Sequence, residues 1–210
     1  MIIVGKNVRY REPCIKIQHD KEMFSLMFHE MTIAGCTRQL PLCPISDSLY
    51  IAGFVIFGDV ELTVACATEL LKKAPEHDII ITAESKGIPL AYEMARQAGE
   101  AKHIIARKKP KLYMRDVFTT TVRSITTDAV QTLCLDGEDA RFMQGKRVLI
   151  VDDVISTGES LRAIEELVAH AGGVIAGKMA ILAEGEAADR DDIIYLEKLP
   201  LFTPDGAPIG

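Results

Sequence analysis

Beyond residue 58 the apolar positions switch repeatedly between helical spacing and unbroken β-type runs. Val60 to Lys73 has the helical period, with Asp59 placed to cap its start and Lys72 and Lys73 in its last turn, where cations offset the helix dipole. Asp78 to Ala83 is a solid apolar run, the pattern of a strand covered on both faces. Ile88 to Ala98 returns to helical spacing, with Pro89 in the first turn and Gly99 just past the end. Lys102 to Ala106 reads as a strand. Val117 to Ile125 and Ala129 to Leu135 read as a hairpin around Thr126-Thr127-Asp128. Val148 to Val151 is another buried strand, 157–171 a helix, and Val174 to Ala183 a strand after Gly172-Gly173. Glu184 to Asp192 reads as a solvated acidic loop, Ile193 to Leu196 as a last strand, and the remainder as a Pro/Gly-rich tail. Strands alternating with helices predict an α/β fold: an open, mainly parallel sheet with helices on both faces.

The first 57 residues do not share this rhythm. Val8 to Ile17 has β-type residues around Pro13, which suggests a hairpin or an edge strand. Lys21 to Met31 is rich in Met, Phe and Leu and reads as a short helix with Met23, Phe24, Met27 and Phe28 on one face. Leu49 to Phe57 reads as a strand. The expected division is therefore an N-terminal segment, 1–57, set over a core of 58–210.

Composition narrows the class. Apolar residues make up 48% and charged residues 26% of the 210, as in an ordinary globular protein. A net charge of −6 disfavours bulk attraction to nucleic acid or a membrane surface, and no apolar run reaches the roughly 18 residues of a bilayer span. The short apolar start before Lys6 is no signal-peptide core, so a cytoplasmic location is expected. The five cysteines are widely spaced without C-x-x-C, which predicts reduced thiols rather than disulfides or zinc.

The densest chemistry lies in Val148–Ser160. Four apolar residues lead into Asp152 and Asp153, followed by Val154, Ile155 and a small-residue loop, Ser156, Thr157, Gly158, Glu159 and Ser160, that opens a helix. The adjacent acids suggest that the chain turns there, since in a continuing strand they would point to opposite faces. Two carboxylates about 4 Å apart repel by up to roughly 4 kcal/mol at an effective dielectric of 20, so they need hydroxyl donors or a cation. Hydroxyls, a glycine and backbone N–H groups at a helix N-terminus suit a phosphate, although a hydroxyl that merely caps the helix is the simpler alternative. A sugar phosphate with Mg²⁺ would satisfy both halves of the stretch.

Two further groups follow strands. Glu84, Ser85, Lys86 and Gly87 form a short polar loop that is either an ordinary strand–helix turn or a grip for pyrophosphate. Arg107, Lys108, Lys109, Pro110 and Lys111 form a cationic run that is either a solvated face or an anion contact.

Residues 148–160 match, at every position, the signature of the type I phosphoribosyltransferases, and the chain resembles that family over about residues 50–182. Its purine-using adenine and xanthine members offer the nearest likeness. The resemblance implies transfer of ribose 5-phosphate from phosphoribosyl pyrophosphate to a nitrogenous base, with Mg²⁺ as cofactor. Asp152 and Asp153 would hold the ribose hydroxyls, directly or through Mg²⁺, and 156–160 would cradle the 5-phosphate. Glu84 to Gly87 resembles the pyrophosphate loop, with Lys86 where relatives have a residue such as Arg; a lysine cannot fork onto an oxyanion as Arg does. Ala106-Arg107-Lys108 resembles the start of a mobile lid, about 108–128, with Lys111 inside it. Arg107 and Lys108 serving a neighbouring subunit would imply a homodimer. Val154 and Ile155 would flank the base beneath a hood built from 1–57, where Phe24, Phe28 and Tyr50 are either core or stacking residues.

Within the family, Ser156 stands where hypoxanthine/guanine enzymes place an Asp. The His-Gly of the orotate lid is missing. Thr119 to Ser124 resembles the xanthine lid more than the adenine lid, whose Glu has no counterpart between Glu100 and Glu138, so the group that handles the base proton is not identified. A transferase for another base such as orotate, a non-catalytic regulator that binds phosphoribosyl pyrophosphate, and a bare binding domain are the competing expectations.

Overall fold

The computed structural model describes residues 27–123 and 130–209. Strand β1 (Phe28–Ile33) and β2 (Cys36–Pro44) form an antiparallel hairpin. Its two-residue turn, Ala34-Gly35, has φ of 50° and 81°, the doubly positive geometry that matches strand twist. This corrects the helix expected over 21–31 for its described part. His29, Met31 and Ile33 alternate inward with period two, while Phe28 is 52% exposed. The expected residues of that helix before Met27, and the run 8–17, lie outside the described residues.

Strand β3 (Tyr50–Ala52) pairs with β2, and then the chain leaves the sheet. The apolar run to Phe57 is therefore mostly not strand; Phe54 and Ile56 are buried without pairing. Helix α1 (Val60–Lys73) starts where the sequence predicts, with Asp59 accepting from the Leu62 N–H at 3.1 Å. Asp59 also accepts from Arg38 of β2 at 2.6 and 3.0 Å, so one carboxylate caps the helix and ties the hairpin to it.

Next come β4 (Ile79–Ala83), α2 (Ile88–Ala98), β5 (Ile104–Ala106), and the antiparallel hairpin of β6 (Phe118–Arg123) with β7 (Val130–Leu135). A short helix α3 (Gly137–Met143), capped by Asp136, was not evident in the sequence. Strand β8 (Arg147–Ile155), α4 (Glu159–His170), β9 (Val174–Glu184) and β10 (Ile194–Leu199) complete the expected series. The acidic stretch after β9 is not simply a solvated loop. It forms a 3-10 turn, Gly185–Asp189, with Ala187 buried, and Lys178 pairs with both Glu165 and Asp192. The supposed tail supplies β11 (Leu201–Phe202) and β12 (Pro208–Ile209).

Two five-stranded sheets result. One is parallel, in the order β10-β9-β8-β4-β5; the other is antiparallel, in the order β1-β2-β3-β11-β12. The second, called the hood below, takes strands from both ends of the described chain. All five residues of β4 are buried, as a central parallel strand requires. One core lies between the parallel sheet and α4, α3 and β7; the other lies between that sheet and α1, α2 and the hood. The parallel α/β sheet with helices on both faces is as the sequence predicts. Among the described residues no helix is long and apolar enough to cross a membrane.

The strand order locates the site. From β4 the chain crosses to β5 on one side, and from β8 it crosses through α4 to β9 on the other. The sheet therefore reverses direction between β4 and β8, and the crevice beyond their carboxyl ends is where ligands bind in such sheets.

Candidate active site

Both loops singled out in the sequence meet at that crevice. Strand β8 does not turn at Asp152 as expected; it stays paired with β9 through Ile155. The two acids therefore follow one another within the strand, with their carboxyls close enough to interact. Asp152 Oδ1 accepts from Ser85 Oγ at 3.1 Å and from the Asp153 N–H at 2.9 Å. Asp153 lies on the side of the hood, 4% exposed, with its Oδ2 3.0 Å from Lys86 Nζ. That ion pair is off the hydrogen-bonding direction, so Oδ2 is a buried acceptor with no hydrogen-bond donor. Burial first, and then the neighbouring Asp153 charge, push the Asp152 carboxyl above the usual carboxylate range.

Gly87 is set by contact. A Cβ there would lie 2.6 Å from Thr82 Oγ1 and 2.7 Å from Asp152 Oδ1, so the 84–87 loop passes the acidic strand at a distance only glycine permits. Lys86 donates to the Phe54 carbonyl at 2.7 Å while facing Asp153, which links the hood to the crevice through one ammonium.

Glu84 organises the cationic run. Its Oε2 accepts from the Lys108 N–H at 3.0 Å, and its Oε1 lies 3.0 Å from Lys111 Nζ and 3.5 Å from Arg107 NH1. The Lys108 N–H and then Lys111 hold the Glu84 carboxyl below its ordinary range. Arg107 also donates to Tyr113 at 2.5 Å, and its backbone pairs with Cys134 in both directions at 2.8 Å. The run is thus a structured strap at the end of β5, with the Lys108 side chain exposed.

After β8, Ser156 and Thr157 are exposed and Gly158 takes a left-handed φ of 74°. Gly158 is the N-cap of α4, so neither Ser156 nor Thr157 stands at the capping position that was the alternative. Glu159 and Ser160 occupy the first turn and are half-buried, as are Val154 and Lys86.

The pair Asp152–Asp153 fits a divalent cation of the Mg²⁺ type. Such an ion takes one or two carboxylates and completes its shell with water and substrate phosphate, and an undonated buried oxygen beside a second carboxylate suits that need. Among the described residues no group of three or more acidic, His or Cys side chains gathers to hold a metal.

Glu184, the last residue of β9, was missed. It stands at the same edge, half-buried, and burial pushes its carboxyl upward. The signal was available: like Glu84 and Asp152, it is the first acid after the apolar run of a parallel strand.

The strand order thus reverses beneath an acidic pair, a tight glycine loop and the N-terminus of α4. The chain belongs to the phosphoribosyl transferase domain family, whose model matches residues 61–199. That family membership places it among the glycosyltransferases. It is 29% identical over 154 residues to the adenine phosphoribosyltransferase of Acetivibrio thermocellus, covering 70% of this chain and 84% of that one. It is 32% identical over 145 residues to the hypoxanthine/guanine phosphoribosyltransferase of Methanotorris igneus (68% and 72%). It is 31% identical over 137 residues to the xanthine phosphoribosyltransferase of Bifidobacterium adolescentis (60% and 69%). The crystal structure of adenine phosphoribosyltransferase from Thermoanaerobacter pseudethanolicus shares the fold, with a TM-score of 0.60 at 22% identity over 82% of this chain and 95% of that one.

Proposed function

We propose that this protein is a Mg²⁺-dependent purine phosphoribosyltransferase. It moves ribose 5-phosphate from phosphoribosyl pyrophosphate to a purine ring nitrogen, releasing pyrophosphate and leaving a nucleoside monophosphate for purine salvage. The observation that carries this reading is the convergence of 84–87 and 152–160 on the reversal point of the sheet, with Gly87 packed onto Asp152. Relatives named for adenine, xanthine and hypoxanthine/guanine support a purine. Ser156, where an acid would favour hypoxanthine or guanine, supports an adenine or xanthine type.

In this reading Asp152 and Asp153 orient the ribose hydroxyls and the metal, and 156–160 hold the 5-phosphate through backbone N–H groups and hydroxyls. Mg²⁺ supplies charge neutralisation for the departing pyrophosphate. Ser85, Lys86 and Gly87 present a donor edge to that group, and Arg107, Lys108 and Lys111, steadied by Glu84, approach it from the β5 side. Val154 and Ile155 flank the base. The segment of about 108–128 closes over the sugar and excludes water while positive charge develops on the ribose; its residues 124–128 lie outside the described residues. A homodimer in the cytoplasm, with Arg107 and Lys108 shared across the interface, completes the proposal.

The test is incubation with phosphoribosyl pyrophosphate, Mg²⁺ and a panel of purines and orotate, following pyrophosphate release. Release with at least one purine, abolished by removing Mg²⁺, is the expected result. Tight binding of the sugar phosphate without release for any base would replace the enzyme by a ligand-binding regulator.

A further inference from the structure

The base side of the crevice holds one acid that the reaction scheme above does not use. Strand β9 runs beside β8, with Val154 opposite Leu182 and Ile155 opposite Ala183, so Glu184 stands level with the first loop residue after β8. That is next to the two residues proposed to flank the ring. On its other side Glu184 is opposite Leu199, at the point where β10 passes into the hood. It therefore sits where the core edge faces the hood.

The Glu184 side chain is half-buried and, among the described residues, makes no hydrogen bond or ion pair. Other acids of comparable burial are engaged: Glu93 with Arg96 and Gln97, and Glu84 with the cationic strap. The charge that eases Glu184 is Lys86, whose ammonium is already held by the Phe54 carbonyl and the Asp153 carboxylate. A half-buried carboxylate without a donor is costly unless a ligand brings one.

We propose that Glu184 is a specificity-determining residue that accepts a hydrogen bond from the exocyclic amino group of a 6-aminopurine. This rests on the purine phosphoribosyltransferase reading and deepens it by choosing among bases. An ionised carboxylate is acceptor-only. It pairs with an amino donor at the 6-position, and it opposes the lone pairs of a 6-oxo group, so discrimination comes from repulsion as well as attraction. A site built to pair a substrate N–H discriminates far more strongly than apolar contact does, and partial exposure reduces this here to about 100-fold.

The test compares adenine with hypoxanthine as substrates for the wild type, Glu184→Gln and Glu184→Asp, with circular dichroism and phosphoribosyl pyrophosphate affinity measured alongside. The wild type is expected to favour adenine by about 100-fold in kcat/KM. Glu184→Gln, which offers both donor and acceptor, should narrow that ratio by at least about tenfold while leaving sugar-phosphate affinity unchanged. Glu184→Asp should keep the preference with lower efficiency. An unchanged ratio in a folded Glu184→Gln, or a wild type that prefers hypoxanthine, overturns the inference while leaving the enzyme reading intact. If no purine is turned over, direct binding of the two bases in the presence of the sugar phosphate decides. Adenine selectivity that depends on Glu184 sustains the inference although the enzyme reading falls, and no purine binding overturns both.

Discussion

Strands β4 and β8 carry charged residues at both of their ends, and the two ends treat them in opposite ways. Where they begin, Arg147 reaches Asp78 through its backbone N–H, Nε and NH2 at 2.8, 3.2 and 2.7 Å, and Glu76 through NH1 at 2.9 Å. Its guanidinium holds the Asp78 carboxyl down at about 2. Nearby, His77 Nε2 lies 2.9 Å from Glu100 Oε1, and that partner raises the imidazole above its ordinary value. Where β8 and the neighbouring β9 end, burial raises the carboxyls of Asp152 and Glu184. At the beginning of the strands an Arg147 guanidinium neutralises its acids, whereas at their ends the Asp152 carboxyl is raised by burial and by the acid beside it. Carboxylates pushed upward by burial in a cleft mark a candidate site.

The largest effect should come from neutralising the acidic pair. Asp152→Asn and Asp153→Asn are each expected to lower turnover by about 100-fold or more, read by steady-state pyrophosphate release. Without Mg²⁺ and substrate, Asp152→Asn should keep or raise the melting temperature. The sign follows from the raised carboxyl: the folded state binds that proton more tightly than the unfolded one, so ionising Asp152 at neutral pH works against folding. Undiminished turnover in both variants would mean that the two ends do not differ in function.

Gly87→Ala should come next. Its Cβ would meet Thr82 Oγ1 at 2.6 Å and Asp152 Oδ1 at 2.7 Å, both of them in the crowded floor of the crevice. About 1–3 kcal/mol of stability is the usual cost of such overpacking, and kcat/KM should fall roughly tenfold as Asp152 moves. Chemical denaturation with kinetics on the same preparation separates the two.

At the opposite end the effect is smallest and falls on stability alone. His77 is raised in the folded state, so its pairing with Glu100 stabilises fully below the unfolded value of about 6.5 and is lost as pH rises through the folded value. His77→Gln should leave turnover unchanged and flatten the fall in melting temperature between about pH 6 and 8. Equal slopes in wild type and variant would contradict this.

Much of this contrast was legible in the chain. Asp59 before Val60, Pro89 in a first turn and Gly99 past the end of α2 mark helices by local chemistry, and the structure places all three so. The Val148–Ser160 stretch announced its chemistry because acids, hydroxyls and glycine are contiguous in it. The hood was not legible as a whole, since β3 pairs with β11 about 150 residues away, a tertiary contact that no local pattern marks. The seven-residue α3 is too short to show a helical period. The strand beyond Asp152 was misread because pairing with β9, a tertiary contact, carries two carboxylates that local preference would put in a turn. Glu184 was hidden within an acidic stretch whose other members are largely solvated or paired with cations.

The most direct test of the difference between the two ends is hydrogen–deuterium exchange with and without phosphoribosyl pyrophosphate and Mg²⁺. The account predicts slower exchange in peptides covering 84–88, 107–111 and 154–162, with no change over 75–79 and 98–103. Protection at the beginning of the strands, or none at their ends despite saturating ligand, would contradict it.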